Sequence, residues 1–401
     1  MEKSTRPDSL SKLQMKFQIV KKGEALGKYC FYIGVGILVL VMMLGHSVWE
    51  MPYRGRVLHL VFGLFCIKIL LTEYSAREWM AMILLGILGC ASYFVSGEEY
   101  VISIIVMIFA AKHTDIHTVV KWIYYGALFG TICIILLSLL QVGGTIVDVR
   151  DYGRGGIENR WCLGFSHANN LHGTLWYLTA LFLYLFFDRL KWTHYVCLTA
   201  LNVGLFLLTI SKAGLIASQI LIIAVCIVRY YPKIEKMTGI YILGILCIIG
   251  IIGISLASVT ICWMDSPILQ ILDRLFTGRI NLAYQGAHIS NWRLLSHTGE
   301  LGIVDNGWIT IFFNYGYLIG ILFAGIQIYL IYAAYKQKNG IYLAILVTNA
   351  FYTFMEATYT MNDAYFLCNL SYVTAMMLMG DKHESERLKT KDKRNIFGIA
   401  N

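Results

Sequence analysis

Apolar runs long enough to cross a membrane recur along the whole chain. A helix needs about 20 apolar residues to cross ~30 Å of hydrocarbon, and runs of roughly 17–25 such residues follow one another here. Hydrophobic residues make up 58% of the 401 residues and charged residues only 14%, so little interrupts these runs. A transmembrane barrel is excluded, because its strands alternate apolar and polar residues with a period of two. The sequence therefore predicts an all-α, polytopic membrane helical bundle.

The runs predict about twelve transmembrane helices in one membrane domain, residues 29–380, with a basic tail on either side, 1–28 and 381–401. The tails are typical of solvated segments beside anionic lipid, and the first of them lacks the apolar core of a cleavable signal peptide. The predicted spans are 29–49, 57–72, 79–96, 99–112, 118–142, 171–187, 192–210, 212–229, 240–262, 308–335, 340–356 and 364–380.

The distribution of lysine and arginine predicts the orientation of the bundle. With the N-terminus in the cytoplasm, 23 of the 33 basic residues fall on the cytoplasmic side, nine fall outside and Lys68 lies within a span. Positive charge collects on the cytoplasmic side of membrane proteins, so both termini are predicted to be cytoplasmic. The net charge of +9 is then mainly a signal of topology, and no nucleic-acid partner is needed to explain it.

Two large outer loops, residues 143–170 and 263–307, contain most of the outer basic residues. A guanidinium stays charged at physiological pH and fits phosphate oxygens in pairs, so the loops predict a site for a pyrophosphate, a lipid headgroup or an acidic glycan. The alternative is a set of interfacial arginines that reach toward headgroups and pair with nearby carboxylates. The six residues are Arg150, Arg154, Arg160, Arg274, Arg279 and Arg293.

Two of these arginines follow glycines. Arg154 lies in "GRGG" and Arg279 in "TGR", and glycine allows the backbone to approach a ligand closely. We therefore expect the two Gly-Arg elements, from separate loops, to converge on one diphosphate, with Arg160 and Arg293 as further candidates.

Candidate acid–base residues lie near the ends of the two loops. His167 stands where the first loop enters the sixth span, and it could act as a general base, donate a hydrogen bond, cap the span or pack in the loop. Ser166 is a second candidate for the cap of that span. Asp305 and His297 precede the tenth span, where a carboxylate could accept a proton from a hydroxyl group or cap the helix.

Other sequence patterns bear on metal binding, ion-coupled transport, surface helices and disulfides. The outer loops lack the usual zinc motifs and Asp-x-Asp, so no metal is predicted, and the absence of mid-span carboxylates disfavours an ion-coupled transporter. Residues 266–279 have apolar residues at helical spacing, which predicts a helix on the membrane surface with Asp273 on its polar side. Cys162 and Cys262, both at the outer side, leave a disulfide open.

Three segments carry a resemblance to a known family. "GFSHANNLHG" (164–173) and "TISKAGLIA" (209–217) resemble motifs of the O-antigen and capsular polysaccharide polymerases (Wzy-type), within the O-antigen ligase/polymerase superfamily. "DNGWITIFFNYGYLIG" (305–320), after "TGR", resembles the family's last outer loop and the span that follows it. Ligases have His-Asn where this chain has Asp305-Asn306, with the same spacing to Gly316, so the departure favours a polymerase.

The resemblance implies a GT-C-like, metal-independent, inverting membrane glycosyltransferase without a cofactor, in the bacterial plasma membrane. It would join oligosaccharide repeat units carried on polyprenyl diphosphate into capsule, exopolysaccharide or O-antigen. A flippase and a chain-length regulator are the implied partners, beside membrane lipids. In this reading Arg154, Arg279, Arg160 and Arg293 bind the diphosphate, and Asp305, His167 or His297 activates the acceptor.

Two other functions stay open. An O-antigen ligase would transfer finished glycan to a different acceptor, such as a lipid core. A flippase or exporter would bind the lipid diphosphate at the same arginines and carry out no chemistry, although the related halves of many transporters are absent.

Overall fold

Fifteen α-helices and one β-hairpin make up the described part of the computed structural model, which comprises residues 9–49, 51–151, 156–276, 278–287, 293–296, 304–357 and 369–380. The helices are α1 (Ser9–His46), α2 (Arg54–Leu70), α3 (Ala76–Ser96), α4 (Tyr100–Ala110), α5 (Ile116–Leu139), α6 (Ala168–Leu185), α7 (Trp192–Thr209), α8 (Lys212–Tyr230), α9 (Thr238–Thr260), α10 (Pro267–Leu275), α11 (Arg279–Ala287), α12 (Gly307–Asn314), α13 (Tyr317–Gln337), α14 (Gly340–Met355) and α15 (Leu370–Gly380). The strands of the hairpin are β1 (Val147–Asp151) and β2 (Ile157–Trp161).

The long helices have the composition of membrane spans. Seven of those described are long and apolar enough to cross a bilayer, namely α1 over Gly23–His46, α3, α5, α7, α8, α9 and α13, while α4, α14 and α15 are apolar but shorter. Large apolar side chains such as Phe94 (83% exposed) and Leu207 (72% exposed) cover their outer faces. Such faces are suited to lipid rather than water, so this is an all-α bundle of a multi-pass membrane protein. The total of twelve crossings stays a prediction.

Contacts between helix ends define one end of the bundle, which we call the loop end. The carbonyl of His46, where α1 ends, accepts a hydrogen bond from the amide of Ser166, just before α6 begins (2.9 Å). Near the end of α9, the Ser255 hydroxyl lies 3.1 Å from the side-chain amide of Asn306, just before α12. Both predicted outer loops therefore lie at the loop end.

The opposite end of the bundle has its own contacts. Lys112, after α4, pairs with Glu78 in the first turn of α3 (2.6 Å). The Glu235 carboxylate, after α8, accepts a hydrogen bond from the amide of Gly340 at the start of α14 (2.9 Å). These contacts place the segments after α4 and α8 beside the starts of α3 and α14, and which end of the bundle faces the cytoplasm stays a prediction.

The predicted span 308–335 is wrong as a single helix, because the structure divides it into α12 and α13. Asn306 caps α12 by accepting hydrogen bonds from the amides of Trp308 (3.0 Å) and Ile309 (3.3 Å). Gly316 then adopts a φ of +91°, and a β-carbon there would lie 2.5 Å from the Leu294 carbonyl oxygen. Only glycine fits this turn without strain, so the chain breaks within an otherwise continuous apolar run.

The predicted amphipathic segment 266–279 is helical over most of its length, as α10. The Ser266 hydroxyl accepts a hydrogen bond from the amide of Leu269 and so caps its start (3.4 Å). The polar-side position predicted for Asp273 is wrong, because its side chain is buried and accepts a hydrogen bond from the amide of Asn281 in α11 (2.8 Å). This bond joins α10 to α11.

The loop between α5 and α6 contains a hairpin that the sequence analysis did not predict. β1 and β2 pair antiparallel, with Val147 opposite Trp161 and Asp148 opposite Arg160. Residues 152–155, which include Arg154, lie outside the described residues. The hairpin brings β2 back toward the start of α6, which determines where Arg160 lies.

Candidate functional site

A buried carboxylate at the loop end joins segments that are far apart in sequence. Glu356 follows α14 directly, outside the spanning helix, and its side chain is almost fully buried. Its Oε1 accepts hydrogen bonds from Nη2 of Arg279 (2.9 Å) and from Nδ2 of Asn169 (2.9 Å). The second outer loop, the start of α6 and the end of α14 therefore meet at one oxygen atom.

Arg160, from β2, joins the same group of residues. Its guanidinium is buried, with Nη2 donating to Oδ1 of Asn169 (2.5 Å) and Nε donating to the carbonyl oxygen of Thr209 (2.6 Å). Asn169 thus accepts from one arginine and donates to the carboxylate that holds the other arginine. Thr209 is the last residue of α7, in the "TISKAGLIA" segment, so that segment contributes a backbone oxygen to the site.

Asp305 completes the group on its exposed side. One of its carboxylate oxygens lies 3.5 Å from Nη1 of Arg279, and its side chain is 46% exposed. Among the described residues, this Nη1 has no hydrogen-bond partner, and Asp305 is beyond hydrogen-bond range. We call Arg160, Asn169, Glu356, Arg279 and Asp305 the arginine–carboxylate chain. Arg160, Asn169, Glu356 and Arg279 are joined by hydrogen bonds, whereas Asp305 is the exposed member and is loosely held against the buried Nη1 of Arg279.

The electrostatics of the arginine–carboxylate chain depend on how deeply its side chains are buried. Burial alone would lower the pKa of Arg279, but the charges of Glu356 and Asp305 outweigh it and raise that pKa. Burial raises the pKa of Glu356, and the neighbouring guanidinium of Arg279 opposes this change. At ~4 Å and an effective dielectric constant of ~20, two unit charges attract by about 4 kcal/mol before desolvation. The arginines therefore stay charged in a site that holds little water.

His167 caps α6. Its Nδ1 accepts a hydrogen bond from the backbone amide of Asn169 (3.1 Å). The alternative that Ser166 is the cap is wrong, since its hydroxyl donates instead to the carbonyl oxygen of His46 (3.2 Å) and accepts from Asn170. The alternative that Asp305 caps the next helix is also wrong, because Asn306 does so. Asp305 is left with its side chain beside Arg279.

His172 lies deeper in the bundle and contacts the end of α7, which is part of the site. It is fully buried, with Nδ1 2.9 Å from the Thr209 hydroxyl and Nε2 2.8 Å from Oδ1 of Asn202. Gly214 packs so closely that a β-carbon there would lie 2.5 Å from the imidazole ring. These contacts hold the end of α7, whose carbonyl oxygen receives Arg160.

The remaining candidates divide between described and undescribed residues. Arg293 is half-buried and its backbone lies beside the turn at Gly316, where its carbonyl oxygen accepts a hydrogen bond from the amide of Tyr317 (3.0 Å). Arg154 and His297 lie outside the described residues, so their roles stay predictions. The structure brings Arg160, Arg279 and Asp305 together, and it places His167 next to this group.

Two members of the arginine–carboxylate chain, Glu356 and Asn169, were not predicted from the sequence. Glu356 was the last residue of a predicted span, although a single carboxylate in "TFMEATYT", beside a long apolar run, was a usable signal. Asn169 stands inside the quoted "GFSHANN" segment, where only His167 was chosen. A search for isolated polar residues at the ends of spans would have found both.

Within the described residues, no group of three or more His, Cys, Asp or Glu side chains could hold a metal ion. Cys162 and Cys262 do not form the disulfide that the sequence left open.

No family model matches the chain, and no curated protein or solved structure matches it either. The interpretation of the site therefore depends on its geometry and on the motif resemblance alone.

Proposed function

We propose that this chain is a membrane glycosyltransferase that polymerises polyprenyl-diphosphate-linked oligosaccharide repeat units into surface polysaccharide at the outer face of the plasma membrane. The observation that carries the proposal is that arginines from both large loops are linked to the buried carboxylate of Glu356. Arg279 donates to it directly, and Arg160 is linked to it through Asn169. Two fixed guanidiniums in a poorly hydrated site favour a reaction in which negative charge develops on a departing diphosphate.

Arg279 is the residue that we assign to the diphosphate. Glu356 holds its Nη2, so the guanidinium plane is fixed, while Nη1 faces the loosely held Asp305. A diphosphate oxygen would take the place of the Asp305 carboxylate at Nη1, because a charge-assisted hydrogen bond at about 2.8 Å is stronger than a contact beyond 3 Å. The buried Arg160 and Asn169 keep Glu356 in place and add positive potential.

Asp305 is the residue that we assign to proton transfer. Once the diphosphate occupies Nη1, the exposed carboxylate is free to accept the proton of the acceptor hydroxyl. The hydroxyl oxygen forms a bond to the anomeric carbon of the donor, and the bond from that carbon to the diphosphate oxygen breaks. The electron pair leaves with the lipid diphosphate, and the configuration at the anomeric carbon inverts.

The test is chain growth by purified, reconstituted protein supplied with lipid-linked repeat units, with product length resolved by mass spectrometry. Wild type and Arg274→Gln should give a ladder of products. Arg274 is an exposed arginine of the same loop as Arg279, and it is not part of the arginine–carboxylate chain. Arg279→Gln should slow growth by about 10²–10³-fold, the usual loss when one donor to a developing charge is removed.

Three outcomes would reject the proposal. The first is the absence of products longer than one unit from folded wild-type protein. The second is transfer only to an acceptor that is not a repeat unit, which indicates a ligase. The third is transbilayer movement of the unit without change in its length, which indicates a flippase. Equal rates for Arg279→Gln and Arg274→Gln would reject the role of Arg279.

A further inference from the structure

A long apolar groove runs beside the helix that follows the site. It has a volume of about 380 Å³ and lies between α3, α4, α13 and α15. Its wall on α13 runs from Ile319 to Gln337, eighteen residues along the helix. At 1.5 Å per residue this is about 27 Å, close to the ~30 Å of a bilayer's hydrocarbon. The groove is therefore long enough for one extended apolar chain.

The head of the groove lies at the loop end of the bundle. The carbonyl oxygens of Arg293 and Leu294 accept hydrogen bonds from the amides of Tyr317 (3.0 Å) and Leu318 (3.2 Å), in the first turn of α13. Ile319, the first groove residue of α13, follows directly. A chain in the groove would thus end beside the backbone of Arg293 and Leu294, at the end of the bundle that contains the arginine–carboxylate chain.

We propose that this groove binds the polyisoprenoid tail of the lipid carrier, with the carrier's phosphate at the loop end of the bundle. The inference deepens the proposed function, on which it rests for the identity of the carrier. The groove is one apolar channel whose head lies at the end of the bundle that contains the buried arginines, which suits a single-chain lipid phosphate better than a two-chain phospholipid. Branched and aromatic residues such as Ile104, Phe323 and Leu330 line its wall.

The direct test is photolabelling of the full-length protein in nanodiscs with a diazirine-bearing, long-chain polyprenyl monophosphate, followed by peptide mapping. This probe carries no sugar, so the readout does not require transferase activity. Label should map to α4, α13 and α15, and a diazirine-bearing phosphatidylglycerol at equal concentration should label these helices several-fold less.

A matched pair of variants tests occupancy. Ala333→Phe fills the groove, whereas Ala200→Phe adds the same ring on the exposed surface of α7. Each buried methylene contributes about fourfold to affinity, so displacing two or three of them should reduce groove labelling by at least about tenfold in Ala333→Phe. Ala200→Phe should label like wild type. Thermal stability of both variants, with Ala333→Leu as the milder substitution, separates lost binding from lost folding.

The two proposals fail separately. Labelling of other helices, equal labelling by the phospholipid, or equal labelling of Ala333→Phe and Ala200→Phe in folded protein would overturn the groove assignment even if polysaccharide is made. Groove labelling without chain growth would support the tail site and reject the polymerase.

Discussion

Removing the charge of Glu356 should destabilise the loop end and release Arg279. The carboxylate accepts two hydrogen bonds at 2.9 Å and is almost fully buried. Its loss leaves Asp305, at 3.5 Å, as the remaining ion-pair partner of Arg279 among the described residues. Removing one partner of a buried ion pair typically costs about 3–5 kcal/mol of unfolding free energy. Glu356→Leu should show this full loss. Glu356→Gln keeps an acceptor oxygen of similar shape, so we expect a loss of about 2 kcal/mol.

Chemical unfolding in mixed micelles measures these differences, and Glu78→Gln is the matched control. Glu78 pairs with Lys112 at the opposite end of the bundle, where both side chains are partly exposed, and glutamine can keep its role in the capping box of α3. We expect a loss of about 1 kcal/mol or less there.

A double-mutant cycle isolates the pair itself. Glu356→Gln combined with Arg279→Gln should be less destabilised than the sum of the single variants by about 1–3 kcal/mol, because the double variant leaves no uncompensated charge. A coupling energy of zero, or equal losses for Glu356→Gln and Glu78→Gln, would refute the buried pair on which the site is built.

Two further predictions concern the backbone and proton transfer. Gly316→Ala forces a β-carbon onto a backbone oxygen at positive φ and should cost about 2 kcal/mol or more, whereas Gly325→Ala, with open space in α13, should be neutral or stabilising by up to about 1 kcal/mol; equal effects in unfolding experiments would contradict the observed turn. Asp305→Asn should lower the rate of chain growth by about 10²–10⁴-fold, and a wild-type rate would remove Asp305 from the mechanism. It should not raise the Kd for polyprenyl diphosphate, because it removes the carboxylate that competes for Nη1 of Arg279.

The sequence was sufficient for the membrane bundle but not for its interruptions. Apolar runs predict helices because hydrocarbon requires internally bonded backbone, and α3, α4, α7 and α9 lie close to their predicted positions. The turn at Gly316 interrupts a run that stays apolar on both sides, and a carbonyl from a distant loop sets its geometry. α1 begins at Ser9 rather than at residue 29, because a polar stretch can continue a helix beyond the apolar part.

The sequence predicted which types of residue form the candidate site, but not which of them contact one another. Arginines in two loops indicated an anion site, and Arg160 and Arg279 do meet, through Asn169 and Glu356. The carboxylate that joins them lies 77 residues beyond Arg279 in sequence, and only packing of the bundle brings the two together. The sequence offered both His167 and Ser166 as the cap of α6, and His167 is the cap, while the Ser166 hydroxyl bonds to the His46 carbonyl. The cap of α12 is Asn306, one residue after the candidate Asp305.

The affinity of purified, full-length protein for polyprenyl diphosphate tests the central claim most directly, with Arg279→Lys compared with Arg274→Lys. Lysine keeps the charge and loses the planar fork, so Arg279→Lys should raise the Kd by about 10–100-fold, while Arg274→Lys, on the exposed surface, should change it by less than about twofold. An unchanged Kd in folded Arg279→Lys, or equal losses in both variants, would contradict a diphosphate held at Nη1 of Arg279.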